Sequence, residues 1–184
     1  MAVDFNKGDT SLIVKECKKD GLSLEQAAYI LATAWWETGR TMKPVKEAYW
    51  LSEGWRRDNL RYYPWYGRGY VQLTWQDNYK RAGQILGKNF ITNPDIVMKP
   101  ENSVEILVRG SMDGWFTGKK ISDYIRTGKK DYRNARRVIN GTDKAETIAT
   151  LAVEYEGLLK ANKYEGRAES WLLKLFKKIF GRKS

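Results

Sequence analysis

Apolar residues recur every three or four positions along much of the chain, which is the period of helices that bury one face. A first helix is predicted over Ser11–Asp20. Ser23 and Gln26 have the spacing of a capping box, so they are expected to begin a second helix that ends near Thr38–Gly39. Because the second helix is apolar on most sides, it is predicted to lie at the centre of the fold.

The same period predicts further helices in the second half of the chain. Glu154 and Glu156 in the last of them are expected to be solvated. The segment Arg40–Arg61 is expected to be a loop with one helical turn. The further helices are expected over Tyr79–Leu86 after a cap at Asp77 or Asn78, Glu101–Phe116, Asp131–Ile139 and Lys144–Lys160.

A shorter period occurs in the stretch Tyr62–Tyr79, which is rich in Tyr and Trp around Gly67–Gly69. Alternation over Tyr70–Trp75 predicts a short strand with its polar side chains on one face. Aromatic rings beside amide and hydroxyl groups suit a sugar chain, because its C–H faces stack on rings and its hydroxyls need polar partners. The alternative is a hairpin that only packs. The fold class predicted from these patterns is mainly α, with a small β-hairpin region that lines a cleft.

Composition narrows the classes of function. The 184 residues suit one domain, predicted as residues 1–165, with an appended segment over residues 166–184. The net charge of +11 favours an anionic partner, and we rank nucleic acid low because no recognition motif accompanies the charge. With Cys17 alone and no His, an internal disulfide, a usual zinc site and His-dependent nucleophilic catalysis are excluded. We expect no metal or other cofactor, and carboxylates remain as the acid and base groups.

Glu37 is the first candidate among these carboxylates. It lies at the end of the predicted central helix, beside Trp35 and Trp36. Apolar neighbours and the negative end of the helix dipole both disfavour the ionised form, which suits a general acid near neutral pH. The alternative is an ordinary surface carboxylate near a helix end.

The stretch Tyr66–Tyr79, reading YGRGYVQLTWQDNY, resembles the signature of glycoside hydrolase family 19, which contains chitinases and related phage endolysins. Two further motifs carry the resemblance. Trp36–Gly39 is similar to the family's His-Glu-Thr-Gly motif, with Trp in place of His, and Val138–Gly141 matches its Ile-Asn-Gly motif. The resemblance spans about residues 24–159 and implies a lysozyme-like α-helical fold.

The resemblance also implies roles for individual residues. Glu37 matches the proton donor, and Glu47 is assigned as the base that activates water in an inverting reaction, with Glu53 and Asp58 as open alternatives. Arg68 is expected to pair with a carboxylate as well as to bind substrate. The residues expected to bind sugar or water or to shape the cleft are Tyr66, Arg68, Gln72, Thr74, Trp75, Asn78, Tyr79 and Asn140.

The function expected from the resemblance is that of a monomeric endolysin that cuts the β-1,4 glycan strands of peptidoglycan. The N-terminus lacks the apolar region of a signal peptide, so the protein is expected to stay in the host cytoplasm until it is released to the wall. Residues 170–184 have apolar and basic faces at helical spacing and are expected either to bind an anionic membrane surface or to pack on the core. The alternatives are a chitinase, or a non-catalytic wall-binding or membrane-active protein.

Overall fold

A computed structural model describes residues 3–166 of the chain. The amphipathic helix expected over residues 170–184 lies outside the described residues. Short 3-10 helices occur at Pro94–Met98 and Arg136–Val138. The helices are α1 (Thr10–Lys19), α2 (Leu24–Glu37), α3 (Glu53–Asn59), α4 (Gln76–Leu86), α5 (Pro100–Asp113), α6 (Ile121–Tyr124), α7 (Tyr132–Ala135) and α8 (Ala145–Ala161). The strands are β1 (Val45–Lys46), β2 (Arg68–Gly69), β3 (Ile125–Arg126) and β4 (Lys129–Lys130).

Helix α2 forms the centre of the fold, as its apolar composition predicts. The capping box is present: Ser23 Oγ accepts from the Gln26 N–H, and the Gln26 side chain accepts from the Ser23 N–H. Helix α8 packs against α2, with the ring of Trp35 edge-on to that of Tyr155 at 6.4 Å. Ala, Ile and Leu side chains of α2 are fully buried, so truncating Leu31 to Ala would cost about 2–5 kcal/mol. Helix α2 ends at Glu37.

Helix α8 carries one carboxylate whose expected position is wrong. Glu156 is buried rather than solvated, and it accepts hydrogen bonds from Tyr132 Oη at 2.9 Å and Lys130 Nζ at 3.0 Å. Lys160, one turn further along α8, donates to its other oxygen at 2.6 Å. Two of the three donors, Lys130 and Tyr132, belong to β4 and α7, so the local pattern of α8 does not reveal them. Glu154 accepts from the backbone N–H of Val3 at 3.1 Å.

The predicted strand over Tyr70–Trp75 is also wrong. Strand β2 stops at Gly69 and pairs antiparallel with β1, and the chain then turns tightly so that Arg68 and Leu73 exchange backbone hydrogen bonds. Gln72 and Trp75 have positive φ angles of 54° and 74°, which an alternating strand does not contain. Trp75 also precedes α4, so the expected caps at Asp77 or Asn78 are wrong because both lie inside the helix. The small antiparallel pair β1–β2 replaces the expected hairpin.

The remaining boundaries differ from the predictions by a few residues. Helix α3 is longer than the single expected turn, and residues 128–130 belong to the β3–β4 hairpin instead of a loop. Helix α5 ends early because Gly114 takes a φ of 72° and the chain folds back, which brings the ring of Phe116 against Gly110. Among residues 3–166, none of the helices combines the length and the apolar character needed to cross a bilayer.

Candidate active site

Glu37 is the last residue of α2, and its side chain is 19% exposed. Arg136, on the second 3-10 helix, donates from Nη1 to Glu37 Oε1 at 2.5 Å and from Nε to the Asp143 carbonyl at 3.0 Å. The Arg136 side chain is itself buried, so this cation is shielded from water. The apolar surroundings expected of Glu37 are therefore only part of its environment. Within residues 3–166 no hydrogen bond reaches Glu37 Oε2, which leaves that oxygen available.

Glu47 follows β1 directly and is held by the loop that leads into β2. Its backbone N–H donates to the Gly67 carbonyl at 2.7 Å, and the Gly67 N–H donates to Glu47 Oε2 at 2.9 Å. Tyr62 Oη donates to Oε1 at 2.6 Å. Burial and this hydrogen bond raise the pKa of Tyr62 to about 12, so the phenol stays a proton donor to Glu47 at neutral pH.

Gly67 leaves room for the side chains of Gln72 and Glu47. A Cβ at this position would lie 2.6 Å from Gln72 Oε1 and 3.2 Å from Glu47 Oε2. The same geometry shows that the Gln72 amide lies beside Gly67 and Glu47. Arg56, buried in α3, fixes the chain after Glu47 by donating from Nη1 to the carbonyls of Ala48 and Leu51, each at 2.8 Å.

The two alternative bases have other roles in the structure. Glu53 accepts from Tyr66 Oη at 2.9 Å and from Arg56 Nε at 3.2 Å. Burial opposes ionisation of Glu53, but these two hydrogen bonds outweigh it and lower the pKa of that carboxyl. Asp58 is 66% exposed and pairs with its neighbour Arg57 at 3.1 Å. The geometry therefore favours Glu47 as the second carboxylate.

Three of the expected substrate-binding residues lie beneath the surface. Tyr66 and Tyr79 have no exposed area, and Arg68 is 3% exposed. Arg68 donates to Asp95 at 2.7 Å, to Tyr79 Oη at 3.1 Å and to backbone carbonyls, and its guanidinium lies over the ring of Tyr66. These side chains offer a glycan almost no surface in this structure, so direct contact with substrate is not supported, whereas the expected role of Tyr66 and Tyr79 in shaping the cleft stays a prediction. Arg68 does pair with a carboxylate as expected, but the partner is Asp95, and the three residues support the loop from below.

Gln72, Thr74 and Asn78 are half-buried on the same loop. Gln72 Nε2 donates to the Val45 carbonyl at 3.1 Å, which ties the loop to β1. Thr74 donates to the Gln72 carbonyl at 2.8 Å, and Asn78 donates to the Thr74 carbonyl at 2.8 Å. These bonds give the loop its shape, and contact of the three side chains with sugar or water stays a prediction.

Trp75 and Asn140 are exposed, as residues that meet a substrate must be. Trp75 keeps 45% of its area exposed, and its ring lies 4.9 Å from the ring of Tyr62 in an edge-on arrangement. Asn140 donates its backbone N–H to the Arg136 carbonyl at 3.0 Å, so it follows directly from the short helix that brings Arg136 to Glu37.

Tyr62 and Arg136 are the two contributors that the sequence analysis does not assign to the site. Tyr62 begins the aromatic stretch, but nothing local links it to a carboxylate 15 positions earlier. Arg136 lies 99 positions from Glu37. The position of Arg136 just before the matched Val138–Gly141 motif is the signal that could have drawn attention to it.

A separate cavity of about 710 Å³ lies between the start of α2 and the β3–β4 hairpin. Its wall includes Arg126, Lys129 and Lys130 and contains neither Glu37 nor Glu47.

Comparison with known proteins shows a similarity to one family of glycoside hydrolases. The family model for Chitinase class I matches residues 34–123, which include Glu37, Glu47 and the whole of Tyr62–Tyr79. This segment is therefore similar to glycoside hydrolase family 19. Asn140 and Arg136 lie beyond the matched segment.

The similar sequences are plant proteins matched over short segments. An endochitinase of Arabidopsis thaliana is 34% identical over 77 residues, which is 42% of this chain and 24% of that protein. Chitinase 8 of Oryza sativa subsp. japonica is 56% identical over 34 residues, 18% of this chain and 13% of that protein. The inactive chitinase-like protein 1 of Hevea brasiliensis is 52% identical over 33 residues, 18% of this chain and 10% of that protein. The chain thus spans a quarter or less of these relatives, and a short match of this kind does not by itself decide activity.

The structure also has the expected fold. Chitinase C from Streptomyces griseus HUT6037 superposes with a TM-score of 0.53 at 22% identity, over 80% of this chain and 81% of that one. The likeness extends well beyond the matched family segment and confirms the mainly helical, family 19 chitinase and lysozyme-like fold predicted from the sequence.

Proposed function

We propose that this domain is an inverting glycoside hydrolase, with Glu37 as general acid and Glu47 as general base. The observation that carries the proposal is the unequal way in which the two carboxylates are held. Glu37 keeps one oxygen without a partner from residues 3–166, whereas both oxygens of Glu47 are fixed by neutral donors, Tyr62 Oη and the Gly67 N–H. Neutral donors orient a carboxylate without neutralising its charge, which a base requires.

The chemistry divides between the two groups. Glu37 gives its proton to the glycosidic oxygen as that bond to the anomeric carbon breaks. A water attacks the anomeric carbon from the opposite face, and Glu47 takes the proton that the water loses. Arg136 then stabilises the carboxylate that Glu37 becomes, because its guanidinium contacts Oε1 from a buried position. The product has the inverted anomeric configuration.

The substrate proposed is the β-1,4 glycan backbone of peptidoglycan, and the biological role proposed is that of an endolysin that opens a bacterial wall. The net charge of +11 favours this polymer over chitin, because peptidoglycan carries carboxylates and chitin is neutral.

Chitin is the second candidate, and the names of the relatives favour it. The family model, the rice and Arabidopsis relatives and the solved structure from Streptomyces griseus are all described as chitinases or endochitinases. The Glu37 and Glu47 chemistry applies to both polymers without change, since both contain β-1,4 bonds between N-acetylated sugars.

The deciding experiment measures release of reducing ends from purified peptidoglycan and from chitin, with wild-type protein and with Glu37→Gln. We expect cleavage of peptidoglycan by the wild type, an inverted anomer as the first product by NMR, and near-complete loss of cleavage in Glu37→Gln. Cleavage of chitin alone would show that the proposed endolysin function is wrong and that the protein is a chitinase. A Glu37→Gln variant as active as the wild type would remove Glu37 from the mechanism.

A further inference from the structure

Arg61 lies at the end of a connected row of side chains that begins at the candidate base. Tyr62 Oη donates to Glu47 at 2.6 Å, and the ring of Tyr62 lies 4.9 Å from the ring of Trp75. The Arg61 guanidinium carbon lies over the Trp75 ring, 5.0 Å from its centroid. Both Arg61 and Trp75 are exposed, so the row ends in a cation and an aromatic face that are open to solvent.

Arg61 differs from the two arginines that precede it in the same segment. Arg56 is buried and uses its donors on Glu53 and on backbone carbonyls. Arg57 pairs with Asp58 at 3.1 Å. Arg61 contacts the Trp75 ring but makes no ion pair or hydrogen bond within the described part of the chain. Its planar donors are therefore free to bind an anion while the ring holds the guanidinium in place.

We propose that Arg61 is a specificity-determining residue that binds a carboxylate of peptidoglycan while Trp75 contacts the neighbouring sugar. The proposal rests on the proposed function and names the chemical group that separates its two candidate substrates. Chitin is a neutral polymer and offers Arg61 no anion. Peptidoglycan offers carboxylates on its peptide stems, and on the lactyl groups of its sugars wherever a stem has been removed. Arginine pairs with a carboxylate through two parallel hydrogen bonds, which adds orientation to attraction.

The position of Arg61 makes this contact useful to catalysis. Because Trp75 packs on Tyr62 and Tyr62 holds Glu47, a carboxylate bound at Arg61 places its sugar strand at a fixed distance from the base. The contact is exposed, so the expected contribution is modest and falls with ionic strength.

The first test compares kcat/KM of wild type, Arg61→Gln and Arg61→Lys on three substrates: intact peptidoglycan, strands stripped of their peptides, and chitin oligosaccharides. We expect Arg61→Gln to lose roughly three- to fivefold on the carboxylate-bearing substrates, mainly through KM, and nothing on chitin oligosaccharides. Arg61→Lys keeps the charge and is expected to retain most of the preference. Arg57→Gln, on a neighbouring exposed arginine that is already paired, is the matched control and is expected to resemble the wild type.

The substrates also identify the source of the carboxylate. A loss on intact peptidoglycan alone assigns the contact to a peptide stem, and a loss on stripped strands alone assigns it to a lactyl group. An equal loss on chitin, or no loss on any substrate, overturns the proposal. It is also overturned if the wild type cuts chitin but neither form of peptidoglycan, although cleavage of chitin that depends on Glu37 would leave the hydrolase mechanism standing.

A second test separates binding from cleavage. Sedimentation of Glu37→Gln protein with purified sacculi is measured against rising NaCl, alone and combined with Arg61→Gln or Arg57→Gln. We expect the Arg61→Gln combination to be released at lower salt than the other two proteins. Identical release curves would overturn the role of Arg61. If Glu37→Gln instead proves fully active, the proposed catalytic roles fail while a shift in the release curve still supports Arg61.

Discussion

Glu37 and Glu156 lie on two helices that pack together, α2 and α8, but their surroundings differ. Glu156 is buried and accepts hydrogen bonds from Lys130, Lys160 and Tyr132. Glu37 is partly exposed and accepts one, from Arg136. A carboxylate surrounded by donors is a fixed structural anion, whereas one with an unused oxygen at the surface can exchange a proton with a ligand. The number and the charge of the donors, and not burial alone, therefore distinguish the structural carboxylate Glu156 from the carboxylates proposed to take part in chemistry.

Glu47 lies between these extremes. Both of its oxygens are engaged, but by the neutral donors Tyr62 and Gly67 instead of lysines. It is thus positioned as firmly as Glu156 while it keeps its negative charge uncompensated, which is the state a base requires.

The largest expected effect tests the proposed role of Glu47 as the base. Glu47→Gln preserves shape but cannot accept a proton, so we expect kcat on the cleaved polymer to fall by about 10²–10⁴-fold. Asp58→Asn is the matched control, because Asp58 is a nearby carboxylate that pairs only with Arg57, and its kcat should stay within about twofold of wild type. A Glu47→Gln enzyme that keeps wild-type kcat would transfer the role of base to Glu53 or Asp58.

The second largest effect tests the contribution of Glu156 to the stability of the fold. Burial alone would raise the pKa of Glu156, but its hydrogen bonds from Lys160, Lys130 and Tyr132 outweigh burial and lower it from 4.5 to about 2. A depressed pKa means that the ionised form stabilises the fold, so this contribution is complete above pH 4.5 and is lost as the pH falls towards 2. The shift corresponds to about 3 kcal/mol of unfolding free energy.

Glu156→Gln is therefore expected to lower the unfolding free energy at pH 7 by about 3 kcal/mol and to flatten its fall between pH 4.5 and 2, as measured by urea unfolding at each pH. Glu146→Gln on the same helix is the control. Glu146 is 80% exposed and pairs with Arg133 at the surface, so its loss should cost less than about 1 kcal/mol. Equal effects of the two substitutions would contradict the structural role of Glu156.

The smallest effect tests whether Tyr62 orients the Glu47 carboxylate. Tyr62→Phe removes one donor to the carboxylate but keeps the ring against Trp75, so we expect kcat to fall roughly fivefold, with little change in thermal stability. The adjacent Tyr63→Phe is the control, because the described contact of Tyr63 is a ring stack on Tyr66. A loss confined to KM in Tyr62→Phe would show that the phenol binds substrate instead of orienting Glu47.

Local signals explain which parts of the fold were predictable. The start of α2 follows from Ser23 and Gln26, whose side chains and backbone bond across three positions. The start of α4 was placed too late because it follows a positive φ at Trp75 and has no side-chain cap. The alternation over residues 70–75 failed for a related reason: the bonds between Arg68 and Leu73 impose a tight turn that the pattern of side chains does not encode.

The site was predictable to the extent that its residues lie within one motif. Glu37 is predicted from its position at the end of the central helix and within Trp36–Gly39, and Glu47 from the family resemblance, and both catalytic roles stay predictions. Their partners were not all accessible in the same way, because Arg136 reaches Glu37 only through the packing of distant segments. The burial of Tyr66, Arg68 and Tyr79 could not be predicted, because exposure depends on the loop's tertiary path, which places all three beneath it.

Two hydrogen bonds between Glu47 and Gly67 join the ends of the chain segment that lies between them. The Glu47 N–H reaches the Gly67 carbonyl, and the Gly67 N–H returns to the Glu47 side chain across 20 positions. The segment between them can therefore change in length or sequence while these hydrogen bonds hold Glu47 in position, provided that Tyr62 and Arg56 retain their contacts. This segment is consequently a suitable unit to exchange between related domains when the specificity for the polymer is to be changed while Glu37 and Glu47 are kept.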